Sequence, residues 1–213
     1  MTTHRPKIAN FPFEVAKAVQ SFGVLFSSEN DPKVAFYRLL KLLYISDREF
    51  LKETGRPIVG GTDVAMKKGP LNSQTYDLIK GEHPDSNVFL KHFTKDGKRL
   101  LVMRTDPGRD DLSRREVRKL VEVSDRFRDL DDDEIGDLTH EFPEYLQNYV
   151  KDTSKPISLQ SKLEALEMTE NKESIEADIE ADIEADIEAD IEADIEADIE
   201  AIVAWKQLIG SVS

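Results

Sequence analysis

His140 has the neighbours best suited to chemistry in this sequence. Asp137 lies three residues before it and Glu141 directly follows it, so an imidazole and two carboxylates could act as a base or bind a metal weakly. The sequence has no second histidine at the spacing of a zinc helix, no cysteine and no nucleophile-elbow motif. A packed or capping His140 is therefore the favoured interpretation, and a hydrolase centred on it is the minor alternative. We expect no cofactor and no metal.

Two further groups of residues could recognise a partner. Asp47 and Arg48 lie on the polar face of a predicted helix, shortly before the glycine that would end it. They could form a recognition site, but a structural network that fixes the exit from the helix is favoured. Lys67, Lys68 and Pro70 fall in a predicted turn, where exposed residues often serve binding. Functional and structural roles are equally favoured there.

The elements that would position these residues are mainly helical. An apolar stripe at helical spacing predicts a helix from Phe13 to Ser27. Asn30, Asp31 and Pro32 supply a cap and a first-turn proline, and they predict a central core helix that runs to about Thr54. Further helices are predicted after Ser73 as N-cap, after the Ser113–Glu116 capping box, from Asp132 to His140 and from Pro143 to Val150.

Extended segments are predicted at residues 57–68 and 88–104. Asp96 and Gly97 lie between two β-prone runs, a pattern typical of an antiparallel hairpin. The predicted fold class is therefore α+β and predominantly α-helical, with one small antiparallel sheet.

Residues 39–81 also resemble a known family. The pieces LLKLLYISDRE, GRPI, VAMKKGP and the helix S-x-x-Y-D-L-I-K-G look like the signature of the Panacea domain, the SocA-like antitoxin domain of bacterial and phage toxin–antitoxin pairs. Leu112–Glu116 and Asp137–Glu141 are similar to the second half of that family. The resemblance covers roughly residues 8 to 150.

The resemblance implies an antitoxin, with a role in phage defence, that neutralises a co-encoded protein toxin by direct binding and is not an enzyme. One SocA-type branch of the family instead delivers its toxin to a protease. A proteolytic adaptor is therefore the alternative, with a cellular protease as a second partner. The candidate toxin contacts are Asp47, Arg48, Lys67, Lys68, Pro70 and Trp205.

The amino-acid composition indicates the cellular compartment in which the protein is expected. The absence of cysteine excludes disulfides and thiolate metal sites. Residues 1–13 contain no apolar segment of signal-peptide length, and no apolar run approaches the ~20 residues of a membrane span. We expect a cytoplasmic protein without a membrane partner.

The net charge of −14 arises from one part of the chain. Between Glu173 and Glu200 lie 14 acidic residues with no Lys or Arg, and the rest of the chain has 29 acidic and 29 basic residues. The globular part therefore has no overall bias towards nucleic acid, and direct nucleic acid binding is not expected.

The acidic part is a tandem repeat, in which Ile-Glu-Ala-Asp occurs six times from Ile175 to Asp198. A four-residue period drifts ~40° per repeat around a helix and gives no lasting apolar seam. We predict a marginal, solvent-exposed helix or a disordered segment. It is either a tolerated spacer or an acidic rod that attracts a basic partner.

The chain is thus divided into five predicted segments. A Panacea-like domain lies at its centre, and an apolar tail containing Trp205, the sole Trp, follows the repeat. The segments are a flexible lead-in (1–12), the domain (13–150), a connector (151–174), the acidic repeat (175–201) and the tail (202–213).

Overall fold

The computed structural model of the chain describes residues 11–166, where helices alternate with two small antiparallel sheets. The predicted α+β class with a predominance of helix is confirmed for this part, while the acidic repeat and the tail with Trp205 lie outside the described residues. No helix within residues 11–166 is long and apolar enough to cross a membrane. The helices are α1 (Val15–Ser28), α2 (Phe36–Thr54), α3 (Ser73–Lys80), α4 (Ser86–His92), α5 (Arg114–Arg126), α6 (Asp132–His140), α7 (Pro143–Asn148) and α8 (Leu159–Ala165).

The strands form two separate sheets. They are β1 (Val34–Ala35), β2 (Asp63–Met66), β3 (Gly69–Asn72), β4 (Phe93–Asp96), β5 (Leu100–Met103) and β6 (Lys155–Ile157). One sheet has the order β3-β2-β6 and the other β1-β5-β4, with antiparallel neighbours throughout. The hairpin predicted around Gly97 is confirmed by the pairing of β4 with β5. The prediction that residues 57–68 and 88–104 share one sheet is wrong, because β2 pairs with β3 and β6.

Helix α2 runs through the core, in contact with α1, α5, α6 and β3. Its side chains Leu39, Leu42, Leu43 and Phe50 are completely buried. The helix ends where the sequence predicts, since Gly55 adopts the left-handed conformation (φ 72°) that closes a helix and favours glycine.

The start of α2 differs from the prediction. Residues 34 and 35 form β1, which pairs with Leu100 and Leu101 of β5, so the helix begins at Phe36 rather than after Pro32. The Asp31 carboxylate accepts a hydrogen bond from the Lys33 backbone N–H at 2.9 Å in a local turn. Strand pairing with a distant part of the chain thus overrides the local helix-start signal.

Two other local predictions are corrected. Helix α3 is capped by Asn72, whose side chain accepts a backbone N–H of the first turn, and the predicted cap Ser73 is its first residue. The strand predicted from Val88 begins as α4 instead. Phe89 and Phe93 are one helical turn apart, and their rings stack in the core at 4.6 Å between centroids. This buried aromatic pair favours a helix over the local β-propensity.

The predicted capping box at the start of α5 is confirmed. The Glu116 backbone N–H donates to the Ser113 hydroxyl at 3.2 Å, and the Ser113 backbone N–H donates to the Glu116 carboxylate at 2.8 Å. Glu116 is completely buried and also pairs with Lys17 of α1 at 2.6 Å. The Leu112–Glu116 motif therefore starts α5 and joins it to α1.

The chain continues to pack on the domain beyond residue 150. Helix α7 ends at Asn148, two residues before the predicted end. Strand β6 then pairs with β2, and α8 contacts α7. Ile157 and Leu159 are buried, so residues 155–166, which the sequence analysis places in a connector, contribute to the core.

Candidate functional site

A cavity of about 220 Å³ with several charged side chains in its lining lies where several elements meet. Its walls come from the β2–β3 turn, the start of α2, the end of the β4–β5 hairpin and one face of α6. Its basic side chains are those of Lys41, Lys67, Lys68 and Arg99, and its acidic side chains are those of Asp132, Asp133 and Asp137.

Lys41 of α2 is the most deeply buried of the charged residues that line the cavity, with 3% of its surface exposed. Its Nζ donates a hydrogen bond to the Pro70 carbonyl at 2.5 Å. Burial lowers the pKa of Lys41 to about 7. An ammonium group has three N–H donors, and Pro70 O is the acceptor that the fold supplies within residues 11–166. The amine therefore has unused donor capacity.

Gly69 brings the β2–β3 turn close to Lys41 and α6. Its φ of 93° lies in the region that glycine favours. A Cβ at this position would stand 2.6 Å from Thr139 Oγ1, 2.8 Å from Lys41 Nζ and 3.2 Å from His140 Cδ2. The Lys68-Gly69-Pro70 motif thus requires glycine both for its backbone conformation and for this close approach.

His140 lines the same cavity from the end of α6. Its ring stacks on Tyr145 at 5.0 Å between centroids, and its Nδ1 lies 3.8 Å from an Asp137 oxygen, beyond hydrogen-bond distance. Its Nε2 is buried without a hydrogen-bond partner in the described part of the chain. Burial and the nearby Lys41 lower the pKa of His140, against the opposing effect of Asp137. The packed ring therefore keeps an unpaired polar atom buried in the wall of the cavity.

Cations and aromatic rings alternate beside the cavity mouth. Lys67 and Lys68 are exposed, and Lys68 Nζ lies 5.0 Å from the centre of the Tyr37 ring. The Tyr37 and Tyr76 hydroxyls are 3.4 Å apart, and Lys80 Nζ lies 4.7 Å from the Tyr76 ring centre. Burial and the bond to Tyr76 raise the pKa of Tyr37 to about 12. The two tyrosines and three lysines form one surface next to the cavity.

Asp47 occupies a different environment, inside the core. Its Oδ1 accepts hydrogen bonds from the backbone N–H groups of Ile58 at 2.9 Å and Val59 at 3.1 Å. Burial raises the pKa of Asp47 to about 7, and the Lys162 charge partly opposes this shift. Asp47 therefore fixes the path of the chain after α2.

Lys162 joins α8 to this buried network. Its ammonium forms an ion pair with Asp63 of β2, and both residues are buried. Burial alone would lower the pKa of Lys162, but Asp63 and Asp47 hold it above its ordinary value. The charged lysine thus compensates two buried carboxyl groups.

Arg48 contacts α7 at the edge of the same network. Its Nε donates to Glu144 Oε1 at 2.6 Å, and its guanidinium carbon lies 4.4 Å from the centre of the Phe142 ring. The Tyr44 hydroxyl donates to the same Glu144 oxygen at 3.1 Å. Burial and the Glu144 charge raise the pKa of Tyr44. Arg48 therefore compensates a completely buried glutamate.

The candidate residues chosen from sequence are thus divided between two places. The β2–β3 turn brings Lys67 and Lys68 to the cavity, where the Pro70 carbonyl binds Lys41. Asp47 and Arg48 belong to the buried network of α2, α7 and α8, and Trp205 lies outside the described residues.

The residues of the cavity that sequence reasoning missed include Lys41, Tyr37 and Arg99. One signal for Lys41 was present, because the residue is flanked by two leucines on each side. A helix that is apolar on nearly all sides is buried, and a lysine in it needs a partner or a function. Arg99 gives no comparable signal, since it lies in a turn of polar residues.

Comparison with known proteins identifies one family. The model described as antitoxin SocA-like, Panacea domain, matches residues 39–145, just over half of the chain. The matched region extends from α2 into α7, so it contains Lys41, the β2–β3 turn and His140, and it ends before β6 and α8. Comparisons with curated proteins and with solved structures find no match. Within residues 11–166, no group of three or more His, Cys, Asp or Glu side chains is placed to hold a metal ion.

Proposed function

The chain belongs to the antitoxin SocA-like family that carries the Panacea domain, and we propose that it neutralises a co-encoded protein toxin by binding it directly. The family match over residues 39–145 carries this proposal. Neutralisation by binding requires no catalysis, so this chain acts without a cofactor and is not an enzyme. It acts in the cytoplasm, where a co-encoded toxin would be made.

The proposed toxin contact is the surface around the β2–β3 turn. Lys67 and Lys68 are exposed there, and Tyr37 and Tyr76 lie half-buried beside them. Tyrosine is enriched at protein interfaces because it offers a large, rigid contact area and a hydroxyl. Lysines at the rim of an interface accelerate association with an acidic surface. These features support a contact with an acidic patch on the toxin.

Asp47 and Arg48 have an indirect role in this proposal. Both are held by partners inside the fold, Asp47 by the backbone of residues 58 and 59 and Arg48 by Glu144. They keep α2 and the segment that follows it in position, and Pro70 positions the turn through its carbonyl. Trp205 is retained as a further candidate contact on the basis of its sequence alone.

Neutralisation would occur by occlusion of the toxin's functional surface. A standard protein interface buries ~800 Å² on each partner, which is far more than two lysine side chains provide. A few anchors nevertheless carry most of the binding energy. Reversing the charges at the turn should therefore weaken binding strongly even though the rest of the interface remains.

Co-expression with the toxin encoded next to this chain tests the proposal. The full-length chain is compared with K67E/K68E and with the matched control K91E/K95E, whose lysines are exposed on α4 and β4. We expect wild type and control to restore growth and to co-purify with the toxin. K67E/K68E should bind it about tenfold or more weakly. If the wild-type chain neither binds nor inhibits the toxin, the proposed function is wrong.

Two further co-expression experiments, one in a protease-deficient host and one with a shortened chain, separate the remaining mechanisms. A proteolytic adaptor protects only when its protease is present, so rescue that disappears in a protease-deficient host would favour the adaptor over direct neutralisation.

A chain that ends at Lys172 retains every described residue and lacks the acidic repeat and Trp205. Loss of rescue by this folded chain would assign toxin binding to the repeat or the tail, and intact rescue would assign it to the domain.

A further inference from the structure

The cavity between the β2–β3 turn and α6 contains a buried amine whose donors the fold does not fully use. Lys41 Nζ donates to the Pro70 carbonyl, and the cavity beside it has a volume of about 220 Å³. We propose that this cavity is a binding site for a carboxylate group, with the Lys41 ammonium as its anchor. The site goes beyond the proposed function, because toxin neutralisation by itself requires no ligand here.

The position of Lys41 supports a role as an anchor. Burying an ammonium group without a negative partner is costly, and within residues 11–166 no carboxylate compensates Lys41. Lys162, the other buried lysine considered above, has Asp63 as its partner. A ligand carboxylate in the cavity would give Lys41 the kind of partner that Lys162 already has. The two lysines thus differ in whether the fold itself provides the anion.

The charges of the lining favour a single negative charge over a multiply charged anion. Four basic side chains and three aspartates line the cavity. The lining therefore has a formal net charge of +1 when His140 is neutral. The aspartates are exposed along α6, where they would repel a dianionic phosphate at the entrance. A carboxylate carries one charge and matches the net charge of the lining.

The cavity also offers a second donor. A carboxylate has two oxygens and can accept from two donors at once. Lys68 lies at the mouth of the cavity, and its ammonium could donate to the second oxygen. His140 also lines the cavity, but its unpaired Nε2 is buried in the wall. Two charge-assisted or polar hydrogen bonds from one cavity would orient the carboxylate.

Titration of the full-length chain with sodium acetate tests the site. The Lys41 side chain is followed by NMR in lysine-labelled protein at about pH 6 and constant ionic strength, where the amine is protonated. Acetamide, which has the same shape and no charge, is the matched ligand control. We expect a saturable shift of the Lys41 signal with acetate and none with acetamide. The affinity for acetate should fall by up to about tenfold per pH unit above about pH 7, because the amine then loses its proton.

Two variants on the same helix locate the binding. Lys41→Met keeps the length of the side chain and removes the charge, whereas Lys52→Met removes an exposed lysine of α2. Followed through the His140 ring signals, Lys52→Met should bind acetate as wild type does and Lys41→Met about tenfold or more weakly. Equal responses to acetate and acetamide, a response that never saturates, or wild-type affinity in Lys41→Met would overturn the proposal. Inorganic sulfate, which is a dianion at pH 6, would overturn the carboxylate class if it bound as tightly as acetate.

The carboxylate could come from a free small molecule or from an acidic side chain or C-terminus of the toxin. The acetate titration is therefore repeated on the full-length chain saturated with toxin. Exclusion of acetate by the toxin, together with weaker toxin binding by Lys41→Met, identifies the toxin as the source, and unchanged acetate affinity identifies a small molecule. Both results support the site. Failure of the toxin to bind would contradict the proposed function and leave the acetate result standing.

Discussion

Lys162 of α8 forms an ion pair with Asp63 of β2 in the interior, where only 8% and 4% of the two residues are exposed. Asp47 of α2 also contributes to the high pKa of this lysine. Helix α8 lies after the region that the family model matches. The core of this domain is therefore completed by residues that follow the family match.

Replacement of Lys162 by methionine should destabilise the protein by ~3–5 kcal/mol, because it leaves Asp63 buried without its partner. Lys155→Met is the control, since Lys155 lies on β6 and is exposed; its effect should stay within ~0.5 kcal/mol. Urea unfolding followed by circular dichroism measures both. Equal stabilities of the two variants would show that the Asp63–Lys162 pair does not support the fold.

A truncation series tests the same relationship without substitution. A chain that ends at Val150 loses β6, α8 and Lys162, whereas a chain that ends at Lys172 keeps them. We expect the shorter chain to aggregate or unfold and the longer one to retain the cooperative unfolding of the domain. A stable, monomeric chain ending at Val150 would contradict a structural role for residues 155–166.

Asp47 should tolerate loss of its charge but not loss of its oxygen. Its Oδ1 accepts two buried backbone N–H groups, those of Ile58 and Val59, and an asparagine oxygen could accept both. Asp47→Ala leaves them unpaired and should cost ~2–6 kcal/mol in the free energy of unfolding, at ~1–3 kcal/mol per buried unpaired group. Asp47→Asn should cost far less. Equal unfolding midpoints for the two variants would rule out this role for Asp47.

The sequence predicted those elements that local signals determine. The capping box at Ser113, the helix end at Gly55 and the hairpin at Gly97 each depend on residues within a few positions of one another, and all three are present. The start of α2 and the helix α4 were mispredicted because distant partners decide them. Residues 34 and 35 pair with β5, and Phe89 packs against Phe22 and Phe93.

The candidate site also combines features set by the local sequence with features set by distant partners. Lys67 and Lys68 could be chosen from sequence because a turn exposes its residues. The cavity beside them could not, since α6 and α2 meet the turn only through tertiary packing around Gly69. The sequence already favoured a structural role for Asp47, but its hydrogen-bond partners could not be identified from it, because they lie 11 and 12 residues away along the chain.

Gly69 should not tolerate a side chain. Alanine at this position would have a positive φ and a Cβ 2.6 Å from Thr139 Oγ1 and 2.8 Å from Lys41 Nζ. Gly97 also has a positive φ, but a Cβ there would meet nothing within 4 Å. Gly97→Ala should therefore cost ~1 kcal/mol from backbone strain alone. Gly69→Ala should cost ~3 kcal/mol, because steric overlap adds to the strain. Thermal unfolding of both variants measures the difference, and equal losses would exclude the close approach at Gly69.

Lys41 should make the stability of the protein depend on pH in the neutral to alkaline range. Its pKa is about 7 in the folded state and has its ordinary value of 10.5 in the unfolded chain. Between these two values the unfolded state binds more protons, so the free energy of unfolding rises with pH across this window. The cost of burying the charged amine is complete below about pH 7 and absent above the ordinary pKa.

Lys41→Met removes this cost while it fills the same space. At about pH 7 the variant should be more stable than wild type by ~1–4 kcal/mol, a gain partly offset because the Pro70 carbonyl loses its donor. The advantage should shrink as pH rises towards the ordinary pKa of lysine, where wild-type Lys41 is neutral in both states. Urea unfolding of the two proteins at a series of pH values measures this effect. The values above the range of histidine titration separate it from the change that the loss of Lys41 makes at His140. A difference in stability that does not change with pH would show that Lys41 is not titrating in this window. It would also remove the basis for the pH dependence expected of acetate binding.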